Sequence, residues 1–213
     1  MKRPSILITT MPKSASESLW NILAAGFDFG QCHVSIGLFP NCCLVPFRLR
    51  EMASGGIVAK EHIAPDPVNL TMLVDTGIDR VLVHLRDPRQ AVLSWAHFVS
   101  KDVGRRMLAP IWRRIVPPVD ALDHGLEAVI DWCIDHYLPL LVDFADGWRM
   151  LSESDATDIR VRCLTVGRFV ADRRAYLADL LDFYGLTVFN EAAIEQAMTI
   201  HWRRGEVNEW RKA

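Results

Sequence analysis

The sequence repeats one unit, in which a short apolar run, a turn and an amphipathic helix follow one another. The clearest unit is RVLVHLRDPRQAVLSWAHF, in which residues 81–85 form a run typical of a β-strand. Asp87 then has the position of a helix N-cap, and Pro88 has that of the first helical residue. Strands that alternate with helices predict a parallel sheet, and therefore an α/β fold.

The helix predicted after this turn has two unlike faces. The apolar face consists of Ala91, Val92, Trp95, Phe98 and Val99, and the polar face consists of Gln90, Ser94, His97 and Lys101.

Three more segments have the same pattern. The predicted strands are residues 6–10, 57–59 and 161–166. The helices after them are predicted to stop at Gly26, before Gly77 and at Gly185, because glycine favours helix ends. Asp66 is a second candidate N-cap, since Pro67 follows it.

Two other stretches lack this unit. Residues 31–52 and the segment near Pro117 are predicted to be irregular, and a long helical stretch over 123–149 is interrupted at Pro139. Long loops in α/β folds often shape substrate sites. The large side chains that could wall an acceptor site are Phe39, Phe47, Trp112 and Trp148, although core packing is the favoured role for them.

Composition narrows the function classes. No shift in composition divides the 213 residues, so 1–213 is predicted to be a single domain. The net charge of -2 gives no support for long-range attraction to nucleic acid, so any anion site must be local. Five cysteines without a CxxC spacing favour reduced thiols. No apolar run has the length of a signal peptide or a transmembrane segment, which predicts a cytoplasmic protein.

The turn in TTMPKSASESLW carries a lysine, Lys13, at the start of the first predicted helix. Unpaired N–H groups at a helix start attract anions, and a lysine there adds to the positive potential. The pattern therefore predicts a bound anion. A standard ATP- or GTP-binding loop is not favoured, because GxxxxGK[ST] requires glycines that this turn lacks.

The segment PKSASES resembles the 5′-phosphosulfate-binding loop of sulfotransferases, whose usual form is Pro-Lys-Ser-Gly-Thr-Thr followed by an aromatic residue. The matching residues are Pro12, Lys13, Ser14 and Ser16. The departures are Ala15 in place of glycine, Glu17 in place of threonine and Ser18 in place of the aromatic residue. The resemblance implies that residues 13–18 bind the 5′-phosphosulfate. Glu17 is then expected to turn outward, and Trp20 could supply the missing stacking surface.

Two more motifs resemble the site for the 3′-phosphate of 3′-phosphoadenosine 5′-phosphosulfate (PAPS). Arg86 stands at a predicted strand end and Ser94 follows eight residues later, which is the spacing in cytosolic sulfotransferases. The late segment RRGEVNEWR resembles their Arg-Lys-Gly segment. The resemblance implies that Arg203, Arg204 and Gly205 contact the same phosphate, a contact suited to guanidinium groups and a close backbone.

The segment IVAKEHIAP resembles the Lys-x-His strand end of the cytosolic enzymes, in which the histidine is the catalytic base. Lys60 and His62 match it. An extended chain puts these two side chains on one side and Glu61 on the other. The resemblance implies that His62 removes the acceptor proton, with Lys13 and Lys60 as the other catalytic residues.

The resemblance as a whole implies a three-layer, P-loop-like architecture, in which helices cover both faces of a central parallel sheet. The implied activity transfers the sulfuryl group of PAPS to a hydroxyl or amine of a small-molecule or glycan acceptor, leaves adenosine 3′,5′-bisphosphate, and requires neither metal nor nucleic acid. Two alternatives stay open. One is a nucleotide-dependent phosphoryl transferase with Asp87 as a Mg²⁺ ligand, and the other is a degenerate nucleotide-binding protein, which Glu17 favours.

Overall fold

The structure, a computed structural model, describes residues 3–101, 104, 107, 110–155, 157–186, 190, 192, 195 and 196. The strands of its main sheet are β1 (Ile6–Thr10), β2 (Gly30–Cys32), β5 (Ile57–Glu61), β6 (Arg80–Leu85) and β7 (Arg160–Thr165). They are parallel and lie in the order β2-β5-β1-β6-β7. Two short antiparallel strands, β3 (Ser35–Ile36) and β4 (Cys43–Leu44), form a second sheet.

The described helices follow the strands as the sequence predicts. They are α1 (Ser16–Phe27), α2 (Pro46–Met52), α3 (Pro67–Asp75), α4 (Pro88–Val99), α5 (Val119–Asp123), α6 (Leu126–His136), α7 (Leu138–Ser152), α8 (Val166–Ala171) and α9 (Arg173–Tyr184), with a 3₁₀ turn at Pro110–Trp112. Both predicted caps are confirmed, because the Asp66 side chain accepts from the Asn69 N–H at 2.9 Å and the Asp87 side chain accepts from the Arg89 N–H at 3.0 Å. None of the helices in the described part is long and apolar enough to cross a membrane.

Alternate residues of the central strands face two different cores. Ile6 and Ile8 of β1 pack with α1, α8 and α9, whereas Leu7 between them packs with α4, α6 and α7. All three are 0% exposed, and burial of such a side chain contributes about 1.5–3 kcal/mol. Helices therefore cover both faces of the sheet, and the predicted three-layer α/β fold is confirmed.

Two predictions about the irregular stretches have different outcomes. Residues 31–52 were predicted to be irregular, and this is wrong: they contain β3, β4 and α2, and the end of β2. These elements are too short to produce a periodic pattern. The predicted interruption at Pro139 is confirmed, because α6 ends at His136 and α7 begins with Pro139 in its first turn.

Candidate active site

Three groups of predicted site residues lie where three strands end side by side. In the register of the sheet, Thr9 is paired with Glu61 and Thr10 with His84. The loop after β1, His62 after β5 and Arg86 after β6 therefore meet at the carboxyl edge of the sheet. This edge is where ligands bind in open α/β sheets.

The loop between β1 and α1 has an unusual backbone. Lys13 and Ala15 have positive φ values of 67° and 60°, whereas Ser14 between them does not. A left-handed conformation costs a residue other than glycine about 1–2 kcal/mol. Alternation of this kind turns successive N–H groups towards one concave side, which suits an anion. Ala15 stands at the glycine position of the sulfotransferase motif and has the conformation that glycine adopts freely.

The N-terminus of α1 is open. Ala15 occupies its N-cap position without a side-chain hydrogen bond. The N–H groups of residues 14–17 donate to no other group in the described part of the chain. The Ser14 side chain is 0% exposed, and its hydroxyl likewise has no partner among the described residues. An unpaired buried hydroxyl is costly, and the N–H groups of a helix N-terminus attract anions, so this set of donors is suited to a ligand with several oxygen atoms.

Two cations are attached to this loop. The Lys13 ammonium lies 4.4 Å from the centre of the Phe98 ring on α4. Arg86 Nη1 donates to the Lys13 carbonyl oxygen at 2.8 Å. The fold thus brings together the lysine of one predicted motif and the arginine of another, although 73 positions separate them in the sequence.

Lys60 and Glu17 form an ion pair beside the open helix end. The Lys60 ammonium donates to the Glu17 carboxylate and lies 5.2 Å from the centre of the Trp20 ring. The Glu17 side chain is 63% exposed, which fits the predicted outward direction, whereas that of Lys60 is 8% exposed. Trp20 donates its indole N–H to the Val58 carbonyl oxygen at 2.8 Å. The carboxylate therefore offsets the charge of a predicted catalytic lysine.

His62 is held in one tautomer. Its Nδ1 lies 2.6 Å from the carbonyl oxygen of Thr10 and 3.0 Å from the Thr10 hydroxyl. A carbonyl oxygen can only accept, so Nδ1 carries the hydrogen and Nε2 of the neutral ring carries the lone pair. Burial lowers the pKa of His62 to about 4, although the bond to Thr10 acts in the opposite direction. At neutral pH the ring is uncharged, and Nε2 can accept a proton.

Glu61 points away from Lys60 and His62, as the period of an extended strand predicts. Its carboxylate accepts from the N–H of Val34 and from the N–H and hydroxyl of Ser35. Glu61 is 5% exposed, so these bonds satisfy a buried charge. The carboxylate holds the segment before β3 and does not face the β1–α1 loop.

Other predicted site residues have varied positions. Ser16 is 8% exposed and Ser18 is half-buried in the first turn of α1. Ser94 was predicted on the polar face of α4, but it is 2% exposed, because it adjoins the buried Ala91 one turn earlier. The residues assigned to the late motif, Arg203, Arg204 and Gly205, lie outside the described residues. No group of three or more His, Cys, Asp or Glu side chains in the described part could hold a metal ion.

A cavity of about 510 Å³ lies elsewhere, at the amino end of β7. Arg160, Arg162 and Phe183 are among its lining residues, and none of the predicted site residues lines it. The candidate site is therefore defined by its donors and charges and not by this cavity.

Two buried residues were not identified from the sequence. His84 and Tyr176 are both 0% exposed and are hydrogen-bonded to each other at 2.8 Å. His84 Nε2 also lies 2.8 Å from the Ser14 carbonyl oxygen. One signal could have found His84: it is a polar residue in the otherwise apolar core of RVLVHL, and buried polar groups need partners.

The class of architecture is a parallel α/β sheet covered by helices on both faces, with an uncapped helix N-terminus after its first strand. Among solved structures, it is similar to the mouse sulfotransferase SULT7A1 complexed with PAP, with a TM-score of 0.61 and 13% identity. That match covers 93% of this chain and 64% of the mouse chain, so this chain spans less than two thirds of its length. It is also similar to a sulfotransferase from Alicyclobacillus acidocaldarius, with a TM-score of 0.50, 16% identity and coverage of 96% and 93%.

Sequence comparison adds no relative. No protein-family model matches the chain, and no curated protein matches it by sequence. At identities of 13% and 16%, structural similarity establishes the fold alone, which is that of sulfotransferases.

Proposed function

We propose that this protein is a sulfotransferase that moves the sulfuryl group of PAPS to an acceptor hydroxyl or amine. One observation carries the proposal. Among the described residues, the N–H groups at the helix end beside Lys13 and the buried Ser14 hydroxyl have no hydrogen-bond partner, in a chain with the fold of sulfotransferases. An open, cationic helix end of this kind is suited to a phosphate or sulfate group.

The residues of the loop fit the charge of such a substrate. The N–H groups of residues 14–17 and the Ser14 hydroxyl would donate to the 5′-phosphosulfate oxygens, and Lys13 would offset their charge. Arg86 stands beside the same loop and would bind the 3′-phosphate. When bound, the nucleotide would supply the sulfuryl group, and its phosphosulfate oxygens would give these donors the partners that the described part of the chain does not.

The proposed base is His62. Its Nδ1–H is committed to the Thr10 carbonyl, so Nε2 is the atom that would take the proton of the acceptor hydroxyl or amine. Glu61 is the rival base, but its carboxylate is committed to the segment before β3. Lys60 would be available to the transferring group only after it separates from Glu17.

Two other functions have specific support. The ion pair between Lys60 and Glu17 favours a nucleotide-binding protein that has lost transfer, because the pair neutralises one of the cations that the reaction needs. A phosphoryl transferase is less favoured, because the candidate Mg²⁺ ligand Asp87 caps α4 and pairs with Arg89 at 2.7 Å.

Calorimetric titration distinguishes these functions. We expect adenosine 3′,5′-bisphosphate to bind without a metal and more tightly than ATP with Mg²⁺. Adenosine 5′-phosphosulfate, which lacks the 3′-phosphate, should bind roughly tenfold or more weakly, because it loses one charge-assisted contact. Preference for ATP with Mg²⁺ would overturn the proposal.

Replacement of His62 separates chemistry from binding. We expect His62→Ala to reduce labelled sulfate transfer by roughly 10²–10⁴, or about 3–5 kcal/mol of barrier, because the base acts mainly in the transition state. Affinity for the bisphosphate should stay within about threefold of wild type. The matched control is His124→Ala, since His124 is exposed and its ring is hydrogen-bonded to Asp120 within its own helix end. Near-normal transfer by His62→Ala would refute the assignment, and binding without transfer by the wild type would favour the degenerate protein.

A further inference from the structure

A buried histidine connects α9 to the β1–α1 loop. His84 lies on the side of β6 that faces α9, where the ring of Phe169 contacts it edge-on with 6.1 Å between ring centres. One ring nitrogen, Nε2, is 2.8 Å from the Ser14 carbonyl oxygen, and the other, Nδ1, is 2.8 Å from the Tyr176 hydroxyl. His84 and Tyr176 are both 0% exposed, so no water competes for these bonds.

The direction of both hydrogen bonds follows from the chemistry of the groups. The Ser14 carbonyl oxygen can only accept, so His84 Nε2 carries the hydrogen. The other nitrogen of the neutral ring must then accept, so the Tyr176 hydroxyl donates to Nδ1. Burial lowers the pKa of His84 to about 4, which keeps the ring neutral at physiological pH and preserves this arrangement.

The bond to Ser14 fixes the direction of a loop N–H group. A trans peptide is planar, so its C=O and N–H bonds point in opposite directions. Because His84 holds the Ser14 carbonyl on the β6 side, the N–H of Ala15 points away from β6. Arg86 does the same for the preceding peptide, since it holds the Lys13 carbonyl at 2.8 Å. The N–H of Ser14 therefore points away from Arg86.

We propose that His84 and Tyr176 are positioning residues for the anion site, and that they hold the loop peptides so that the N–H groups of Ser14 and Ala15 converge on the bound phosphosulfate. This role rests on the proposed function, because the ligand is the one proposed above. Lys13 and Ala15, on either side of Ser14, have left-handed backbone conformations, so an external anchor is needed to keep the loop in place.

The same helix contains a matched control. Tyr184 is two turns after Tyr176 on α9, is 4% exposed, and donates its hydroxyl to the Leu7 carbonyl oxygen at 2.8 Å. Tyr184→Phe removes a buried phenol bond from α9 to a strand, as Tyr176→Phe does, but Tyr184 has no bond to the loop. A purely structural role for Tyr176 predicts the same consequences for both variants.

The binding test compares the two tyrosine variants by calorimetry with adenosine 3′,5′-bisphosphate. We expect Tyr176→Phe to weaken binding by roughly five- to twentyfold and Tyr184→Phe to change it by less than about twofold, while denaturant unfolding shows similar losses of stability. His84→Gln should bind better than His84→Leu, because only the glutamine amide can donate to Ser14. Equal affinities for the two tyrosine variants would overturn the proposal.

A second readout does not depend on the proposed function. In ¹⁵N NMR spectra of the ligand-free protein, His84 should show a hydrogen on Nε2, and Tyr176→Phe should shift the amide signals of residues 14–16 more than Tyr184→Phe does. If the wild type fails to bind the bisphosphate, the proposed function falls while these signals still decide whether the loop is anchored. A hydrogen on Nδ1, or unchanged loop amides in Tyr176→Phe, would overturn the anchoring role.

Discussion

Two strand-to-helix turns lie next to each other at the carboxyl edge of the sheet, and they end in opposite ways. After β6, the Asp87 side chain accepts from the Arg89 N–H at 3.0 Å and Pro88 occupies the first turn, so the chain satisfies its own helix end. After β1, Ala15 provides no such bond, and the helix end is open. A helix end can use its N–H groups either for its own stability or for a ligand.

The other helices that follow strands of the main sheet resemble the β6 turn. Asp66 caps α3 and Thr165 caps α8 through their side chains. The N-terminus of α1 therefore differs from those of α3, α4 and α8, each of which is capped by a side chain. The β1–α1 turn lacks the side-chain cap that stabilises the other turns, which is the property expected of a binding loop.

The largest effect should come from Arg86, which joins the two turns. We expect Arg86→Ala to weaken binding of adenosine 3′,5′-bisphosphate by roughly ten- to a hundredfold, because a charge-assisted contact of about 1.5–3 kcal/mol and the anchor on Lys13 are both lost. Calorimetry measures the change. The control is Arg89→Ala, since Arg89 pairs with Asp87 in the capped turn. Equal losses in both variants would mean that the two turns do not differ in function.

Ser14 should show a smaller effect with opposite signs for binding and stability. We expect Ser14→Ala to weaken bisphosphate binding by about five- to tenfold and to raise the free energy of unfolding by about 1 kcal/mol, because it removes a buried hydroxyl that has no partner among the described residues. Titration and urea denaturation measure the two quantities. The control is Ser100→Ala, because the Ser100 hydroxyl donates to the Ala96 carbonyl oxygen. A less stable Ser14→Ala protein with unchanged affinity would contradict the open-end description.

In the capped turn after β6, replacement of the capping residue should lower stability and leave binding nearly unchanged. We expect Asp87→Ala to lower the free energy of unfolding by about 1 kcal/mol and to leave bisphosphate affinity within about twofold, because Asp87 caps a helix. Asp66→Ala, at a cap on another helix, should give a similar loss in the same denaturation experiment. An Asp87→Ala protein that folds normally but binds the bisphosphate poorly would indicate that this turn is part of the binding site.

The smallest effect should come from Glu17. We expect Glu17→Gln to tighten bisphosphate binding by about two- to fivefold at low salt, because Lys60 then lacks the carboxylate that offsets its charge. The effect is small because the pair is partly exposed to solvent. The control is Glu153→Gln, which breaks an exposed pair with Arg149 on α7. Weaker binding by Glu17→Gln would show that Glu17 helps to hold Lys60 in place, whereas tightening by more than tenfold would favour the degenerate protein.

The parts of the fold that local chemistry determines could be predicted from the sequence. β1 and the caps at Asp66 and Asp87 depend on residues within a few positions of each other, and all three are confirmed. β3 and β4 could not be predicted, because two-residue strands acquire their partners only in the folded chain. The same reason applies to β2, whose three residues pair with β5.

The candidate site likewise has features that could be predicted from the sequence and features that could not. The positions of Lys60 and His62 on one side of a strand follow from period two, and the bonds of Glu61 on the other side agree with it. The tautomer of His62 could not be predicted, because it is set by Thr10, 52 positions away. The anchors of Ser14 are farther still, since no local pattern relates Ser14 to His84 or His84 to Tyr176.

The order of the strands has a consequence for synthesis on the ribosome. β1 precedes both of its neighbours in the sheet, β5 and β6, so residues 6–10 do not have both partners until about residue 85 has been translated. The Tyr176 bond to His84 spans 92 positions and completes the loop anchors later again. We therefore expect a nascent chain that ends before α9 to fold its first units slowly and to lack a finished anion loop, because contacts distant in sequence form at a high entropic cost.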